Sequence, residues 1–169
     1  MSSSKPAGDD ARVVCSTLPR YLRTRVRSAR EAADYLRRRG VPPQAALRAV
    51  ADCRARGLLD DRACARLWAG HWARQGYAAS AIRLKLAAKG LADEVISEAA
   101  RAYGVPAEEE ARARLVAEAA RRRGARQACL PRPPQNQAAQ RRQADRLARA
   151  LAARGFEADL IERVIGEPS

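Results

Sequence analysis

Apolar residues recur along this chain at helical spacing, and three times the run is interrupted by a glycine. Ala79, Ile82 and Leu86 precede Gly90 at i, i+3 and i+7, which places them on one face of a helix. Ala29, Ala32 and Leu36 precede Gly40 at the same offsets, and Ala144, Leu147 and Leu151 precede Gly155. Glycine accepts the left-handed conformation that ends many helices, so each is predicted to close the helix before it. Arg39, Lys89 and Arg154 stand just ahead of these glycines, where a cation suits the negative end of the helix dipole. Behind each glycine a second apolar face begins. It reads Ala45, Ala46, Ala49 and Val50 in the first copy and Val95, Ile96, Ala99 and Ala100 in the second. In the third it reads Leu160, Ile161, Val164 and Ile165. Pro42 and Pro43 fit the first turn of such a helix. Ser28 and Glu31 have the spacing of a capping box at the start of the first copy.

A further helix is expected ahead of each pair. Asp60 or Asp61 can cap one that runs to about Arg74, with Cys64, Leu67, Trp68 and His71 on one face. Residues 107–123 begin with acids and end with cations, as the dipole prefers. Around Val13–Leu22 the pattern is shorter and Pro19 interrupts it. The expected fold is all-α, with three tandem three-helix modules at 12–57, 58–104 and 105–166 in an elongated, curved array that turns right or left. Residues 1–11 read as a disordered tail and 125–140 as a Pro-rich insertion in the third module. That insertion accounts for the longer interval from Gly90 to Gly155 than from Gly40 to Gly90.

Composition adds a partner class. The chain has 169 residues, a net charge of +14 and only 4% aromatics, and nearly all its cations are arginine. Charge of that size points to an acidic partner, nucleic acid first. Residues 12–40 carry +7, 41–107 carry +4 and 108–169 carry +4, which suits a long contact track better than one compact site. Cys15, Cys53, Cys64 and Cys129 form no C-x-x-C pair, and His71 is the single histidine, so no zinc set is expected. No cofactor is called for. Free thiols, no signal-like N-terminus and no membrane-length apolar stretch lead to the expectation of a cytoplasmic monomer.

GLLDD at 57–61, a following helix with Trp68, and RQGYAASAIRLKLAAKGL at 74–91 together resemble the RecX family of regulators of the RecA recombinase. Within the last run the matching residues are Ile82, Arg83, Leu86, Lys89, Gly90 and Leu91, and LAARGF at 151–156 resembles the end of the family's third module. The resemblance covers roughly residues 20–166. Cys64 stands where the family usually has phenylalanine, and Lys85 where an acid is common. The resemblance implies a non-enzymatic protein that lies along the RecA filament on single-stranded DNA. It would lower ATP hydrolysis and strand exchange or block filament growth, with DNA itself as a further contact.

The contact candidates follow from the charges. Arg83, Lys85 and Lys89 have no acid nearby on their own helix, and Arg74 lies just upstream. Arg142, Arg146 and Arg149 form a stripe in the third module, as Arg30, Arg37 and Arg38 do in the first. Asp34–Arg38 and Asp145–Arg149 read as ordinary helix pairs worth ~0.2–0.5 kcal/mol each. Trp68 is assigned to packing, while Trp72 and Tyr77 stay open as stacking surfaces for a base.

A helix-turn-helix DNA-binding regulator is the rival reading. It meets an objection in two modules, where the start of the second helix carries Asp93 and Glu94 or Glu157 and Asp159, while the first module, with Gln44 and Arg48, escapes it. An enzyme is the third class. Cys64 and His71 sit i, i+7 on one helix, ~10 Å apart along its axis and too far for proton transfer.

Overall fold

The structure is a computed structural model that describes residues 7–127 and 137–166. Among the described residues it contains nine helices and no strand. They are α1 (Ala7–Thr24), α2 (Ala29–Arg38), α3 (Pro43–Ala55), α4 (Asp61–Arg74), α5 (Ala79–Ala88), α6 (Asp93–Arg101), α7 (Pro106–Gln127), α8 (Gln137–Ala152) and α9 (Ala158–Gly166). The all-α array of helical modules expected from the periodicity is therefore present. The chain divides into two compact units. One holds the residues up to Trp68 together with Leu86–Ile96, and the other holds Ala69–Lys85 and the residues from Ser97 on. The middle repeat contributes residues to both.

Each unit has its own core, built largely from the faces that the spacing marks out. Ala29, Ala32 and Leu36 of α2 and Ala46, Ala49 and Val50 of α3 are buried in the first unit with Leu18, Val41 and Leu59. Leu147, Leu151, Leu160 and Val164 of α8 and α9 are buried in the second with Ala113, Val116, Ala117 and Phe156. Val41, Leu91 and Phe156, the apolar residues just after the three glycines, are all buried. Around Gly40 the geometry is a Schellman motif. The Gly40 N–H donates to the Arg37 carbonyl at 3.0 Å and the Val41 N–H to the Leu36 carbonyl at 3.1 Å, which brings Val41 back onto the core.

Three expectations need correction. Residues 7–11, read as part of a disordered tail, form the first turns of α1, and that helix continues through Pro19. A proline inside a helix costs about 3 kcal/mol. Burial of Leu18 and the packing of Val14, Tyr21 and Leu22 against the first core, on both sides of Pro19, hold the helix through it. The inner face of α4 is also rotated from the expected one. Cys64, Ala65, Ala69 and Ala73 are buried, whereas Leu67 is 56% exposed and His71 is exposed. Small side chains allow close helix approach, so the alanines outcompete the larger leucine for the interior. Finally, the Pro-rich insertion is shorter than 125–140. α7 runs on to Gln127 and α8 starts at Gln137, and the rest of the insertion lies outside the described residues.

Gly90 and Gly155 do more than end helices. A Cβ on Gly90 would sit 1.9 Å from Arg30 Cδ, and one on Gly155 would sit 2.7 Å from Ala81 Cβ and 3.2 Å from the Ala81 backbone nitrogen. Arg30 and Ala81 both belong to the first turn of the preceding repeat's second helix. Gly40 belongs to the first repeat, and a Cβ there would meet nothing within 4 Å. All three have positive φ, between 71° and 82°. Gly40→Ala should therefore cost only the left-handed backbone penalty, roughly 1–2 kcal/mol. Gly155→Ala should add an overpacking cost of about 1–3 kcal/mol against rigid neighbours. Urea unfolding of the two variants checks the order.

Candidate functional site

The exposed cationic and aromatic side chains are positioned by the junctions between successive repeats, so the junctions come first. In the first unit, Ser28 caps α2. Its hydroxyl accepts from the Glu31 N–H at 3.1 Å, and Glu31 accepts from the Ser28 N–H at 3.0 Å, completing the capping box. The same hydroxyl donates to the Lys89 carbonyl at 2.7 Å, which ties α2 to the end of α5's helical run. The next amide, Ala29 N–H, donates to the Asp61 carboxylate at 2.8 Å. Asp61 also pairs with Arg54, while its neighbour Asp60 caps α4 by accepting from the Ala63 N–H at 3.0 Å. The two aspartates of GLLDD thus have separate tasks: one starts α4, and the other holds α4 against α2.

The second unit repeats the scheme with different residues. The Ala79 N–H, first in α5, donates to the Glu109 carboxylate at 2.8 Å, and Glu109 lies near the start of α7 as Asp61 does in α4. Ala78 occupies the position of Ser28 and has no hydroxyl. Its backbone N–H donates instead to the Arg154 carbonyl at 3.0 Å, and Ser80, two residues on, donates its hydroxyl to the Gly155 carbonyl at 2.5 Å. Carboxylates at a helix N-terminus also suit the dipole.

These junctions remove Lys89 from the exposed set. Its ammonium lies 3.1 Å from Glu31, its side chain is 13% exposed, and it covers the Trp68 ring at 4.0 Å from the centroid. The reading of Lys89 as a contact residue is thereby corrected: the acid missing from its own helix comes from the preceding repeat. Trp68 packs as expected, with Arg25 also over its ring at 5.5 Å. The Glu31 carboxyl lies below its ordinary value of 4.5. Burial pulls it upward, but the Ser28 N–H, the Lys89 ammonium and the Arg25 guanidinium outweigh burial. Cys64, buried in this unit, is pushed up to about 11 by desolvation and then by the Glu31 charge, so it stays a thiol at neutral pH.

The second unit brings Lys85, Tyr77 and Trp72 together. The Lys85 ammonium lies 4.3 Å from the Tyr77 ring centroid and 5.7 Å from that of Trp72. Tyr77 is placed there by the turn after α4, where its N–H donates to the Trp72 carbonyl at 3.1 Å. Each such cation–ring contact is worth ~0.5–1 kcal/mol at a surface. Arg83 is exposed on the same helix and donates to the Ser97 hydroxyl at 3.3 Å, and Arg74 is exposed in the last turn of α4.

The remaining candidates do not join this cluster in one described site. Arg142, Arg146 and Arg149 are exposed along α8. The Arg146 guanidinium lies against Gly124, where a Cβ would stand 2.1 Å from it, and Arg149 donates to the Asp145 carbonyl at 3.2 Å. Arg37 and Arg38 are exposed at the end of α2, and Asp34 pairs with Arg37 at i, i+3 rather than with Arg38 as the spacing suggests. Among the described residues no group of three or more His, Cys, Asp or Glu could hold a metal ion, and no helix is long and apolar enough to cross a membrane. Sequence reasoning missed the junction partners Asp61 and Glu109. The only available signal was that acids open α4 and α7, which a dipole argument alone already explains.

Residues 60–99 match a protein-family model described as RecX, second three-helix domain. The fold is similar to the crystal structure of RecX from Lactobacillus salivarius, with a TM-score of 0.72 at 19% identity over 94% of this chain and 96% of that one. It is similar as well to the crystal structure of a regulatory protein RecX, with a TM-score of 0.76 at 20% identity over 95% of this chain and 75% of that one. No curated protein sequence matches the chain. Residues 60–99 thus resemble the second three-helix domain of RecX, and the helical fold of the chain is similar to that of two RecX structures.

Lys89→Gln should destabilise the protein by about 1.5–3 kcal/mol, the range for a hydrogen bond to a charged group. Arg83→Gln, on an exposed face, should stay within about 0.5 kcal/mol of the wild type. Urea unfolding of both separates the part-buried cation from the exposed one. The lowered Glu31 carboxyl contributes stability that is complete above its ordinary value of 4.5 and is lost as pH falls through the lower folded value. The thermal midpoint should therefore drop on acidification below that point, and Glu31→Gln should make the drop smaller.

Proposed function

We propose that this chain is a cytoplasmic, non-enzymatic regulator that binds the RecA filament on single-stranded DNA and inhibits its ATP turnover, strand exchange or growth. In doing so it regulates recombination and DNA repair. The observation that carries this reading is a coincidence of position. The segment similar to the second three-helix domain of RecX, residues 60–99, also presents the Lys85–Tyr77–Trp72 cluster with Arg83 and Arg74 exposed beside it. An ammonium held by two rings, flanked by exposed guanidiniums, suits an acidic protein surface or a phosphate-bearing strand. Arg37, Arg38, Arg142, Arg146 and Arg149 extend the positive charge to the other repeats, and Lys89 is left out because it serves the junction.

ATP turnover by the cognate recombinase, preassembled on single-stranded DNA and titrated with this protein, tests the proposal. The expected result is inhibition below stoichiometric amounts. In the Arg83→Glu/Lys85→Glu variant, with helicity unchanged, the half-inhibiting concentration should rise at least about tenfold, a loss of ~1.4 kcal/mol. No inhibition, together with sequence-dependent binding to naked duplex, would overturn the reading in favour of a DNA-binding regulator.

A further inference from the structure

Two tyrosines of the first unit stack in parallel. The Tyr21 ring on α1 and the Tyr35 ring on α2 have centroids 3.9 Å apart and planes 7° from parallel. Each ring gives one face to the other and keeps one outer face. The Arg27 guanidinium covers that of Tyr21 at 4.1 Å, and donates to the Thr24 hydroxyl at 3.0 Å. Arg39, exposed just after α2, stands 5.1 Å from the Tyr35 centroid. The layers run Arg27, Tyr21, Tyr35, Arg39, and the Arg39 end is the looser one. Rings and guanidinium planes are the surfaces on which unpaired bases stack.

Counted from the repeat glycines, Arg27 corresponds to Tyr77 and Tyr35 to Lys85. Both repeats therefore set a cation and a ring at this pair of positions, with the two exchanged. The first repeat differs in what lies beside them. Gly90 and Gly155 are packed by the repeat that precedes each, whereas a Cβ on Gly40 would meet nothing within 4 Å. The end of α2 and the turn after it, Arg37 to Gly40, are exposed.

Charge and rings together select the occupant. Residues 12–40 hold nine basic residues and two acids. Both acids are engaged, Glu31 by Arg25 and Lys89 and Asp34 by Arg37. Arg20, Arg23, Arg38 and Arg39 are exposed and form no ion pair among the described residues. An acidic peptide would use those charges and leave the stack idle. A single strand carries a phosphate and a flat base in every unit and uses both. We propose that the Tyr21–Tyr35 stack is a binding site for single-stranded nucleic acid. A base takes the outer face of Tyr35 in place of Arg39, whose guanidinium moves to the adjoining phosphate. Arg38 stands at i+3 from Tyr35, on the same side of α2, and meets the strand there. The site goes beyond the filament reading: it puts a strand on the first unit and needs no recombinase.

The test uses the full chain, without recombinase, and fluorescein-labelled oligothymidylate read by fluorescence anisotropy against an abasic strand of equal length and charge. Wild-type protein is expected to bind the oligothymidylate about fivefold or more tightly than the abasic strand. Tyr35→Leu should lose about fivefold or more in affinity for oligothymidylate, with helicity and abasic-strand binding unchanged. Tyr35→Phe, which keeps the ring, should bind both strands as the wild type does. Arg38→Gln/Arg39→Gln, at exposed positions, should flatten the dependence of log affinity on log salt by about 1.4, at about 0.7 per phosphate contact. A strand carrying 5-iodouracil should photo-crosslink to Tyr35, as located by mass spectrometry. No binding, or equal binding of the two strands by the wild type, overturns the inference. So does Tyr35→Leu binding like Tyr35→Phe, an unchanged salt dependence, or a crosslink confined to Trp72 and Tyr77. Displacement of the oligothymidylate by polyglutamate as readily as by unlabelled strand also overturns it, and would make this face an acidic-protein surface.

Discussion

The amide of Ala29, the first in α2, finds its acceptor in Asp61, thirty-two residues along the chain. An N-terminal helix amide has no partner within its own helix, and when neighbouring helices cover it, water cannot satisfy it either. The chain meets that need by borrowing a carboxylate from the next repeat's first helix, and it does so again between Ala79 and Glu109. Each repeat is too small to bury its own helix starts, so each depends on the one that follows. That dependence ties sequence to architecture: a repeat can diverge in most of its residues so long as its helix start is still satisfied.

The divergence between Ser28 and Ala78 shows how much freedom this leaves. A hydroxyl that accepts one bond and donates another is replaced by a backbone N–H and a serine two residues away, and the carbonyls at the end of the following helix are still bound. The glycines are less free. Gly90 and Gly155 need positive φ and also the space into which the preceding repeat packs, whereas Gly40 needs only the first. The same junction decides which cations remain available. Lys89 is absorbed by Glu31 and Trp68, while Lys85, four residues earlier, rests on two rings at the surface.

Local periodicity was enough to read the paired helices, their inward faces and the glycine ends, because those features depend on residues three to seven apart. Ala32, Leu36, Ile82, Leu86, Leu147 and Leu151 are buried as their spacing requires. Three features resisted. The course of α1 through Pro19 depends on tertiary packing that outweighs local propensity. The rotation of α4 depends on how closely alanines let neighbouring helices approach. The pairing of Lys89 with Glu31 spans fifty-eight residues, and no spacing rule within one helix reports it. The clustering of Lys85 with Trp72 and Tyr77 was half legible, since all three stood among the candidates and the turn that brings them together was not foreseen.

On the proposed reading the chain lies on a recombinase filament through its exposed cations, while Lys89 stays against Glu31. Electron cryomicroscopy of the RecA filament on single-stranded DNA, saturated with this protein, tests it most directly. The account predicts density for the helical repeats on the filament, with Arg83 and Lys85 at the contact and Lys89 still against Glu31. A bare filament, or a bound chain whose α5 cations face solvent, would contradict it.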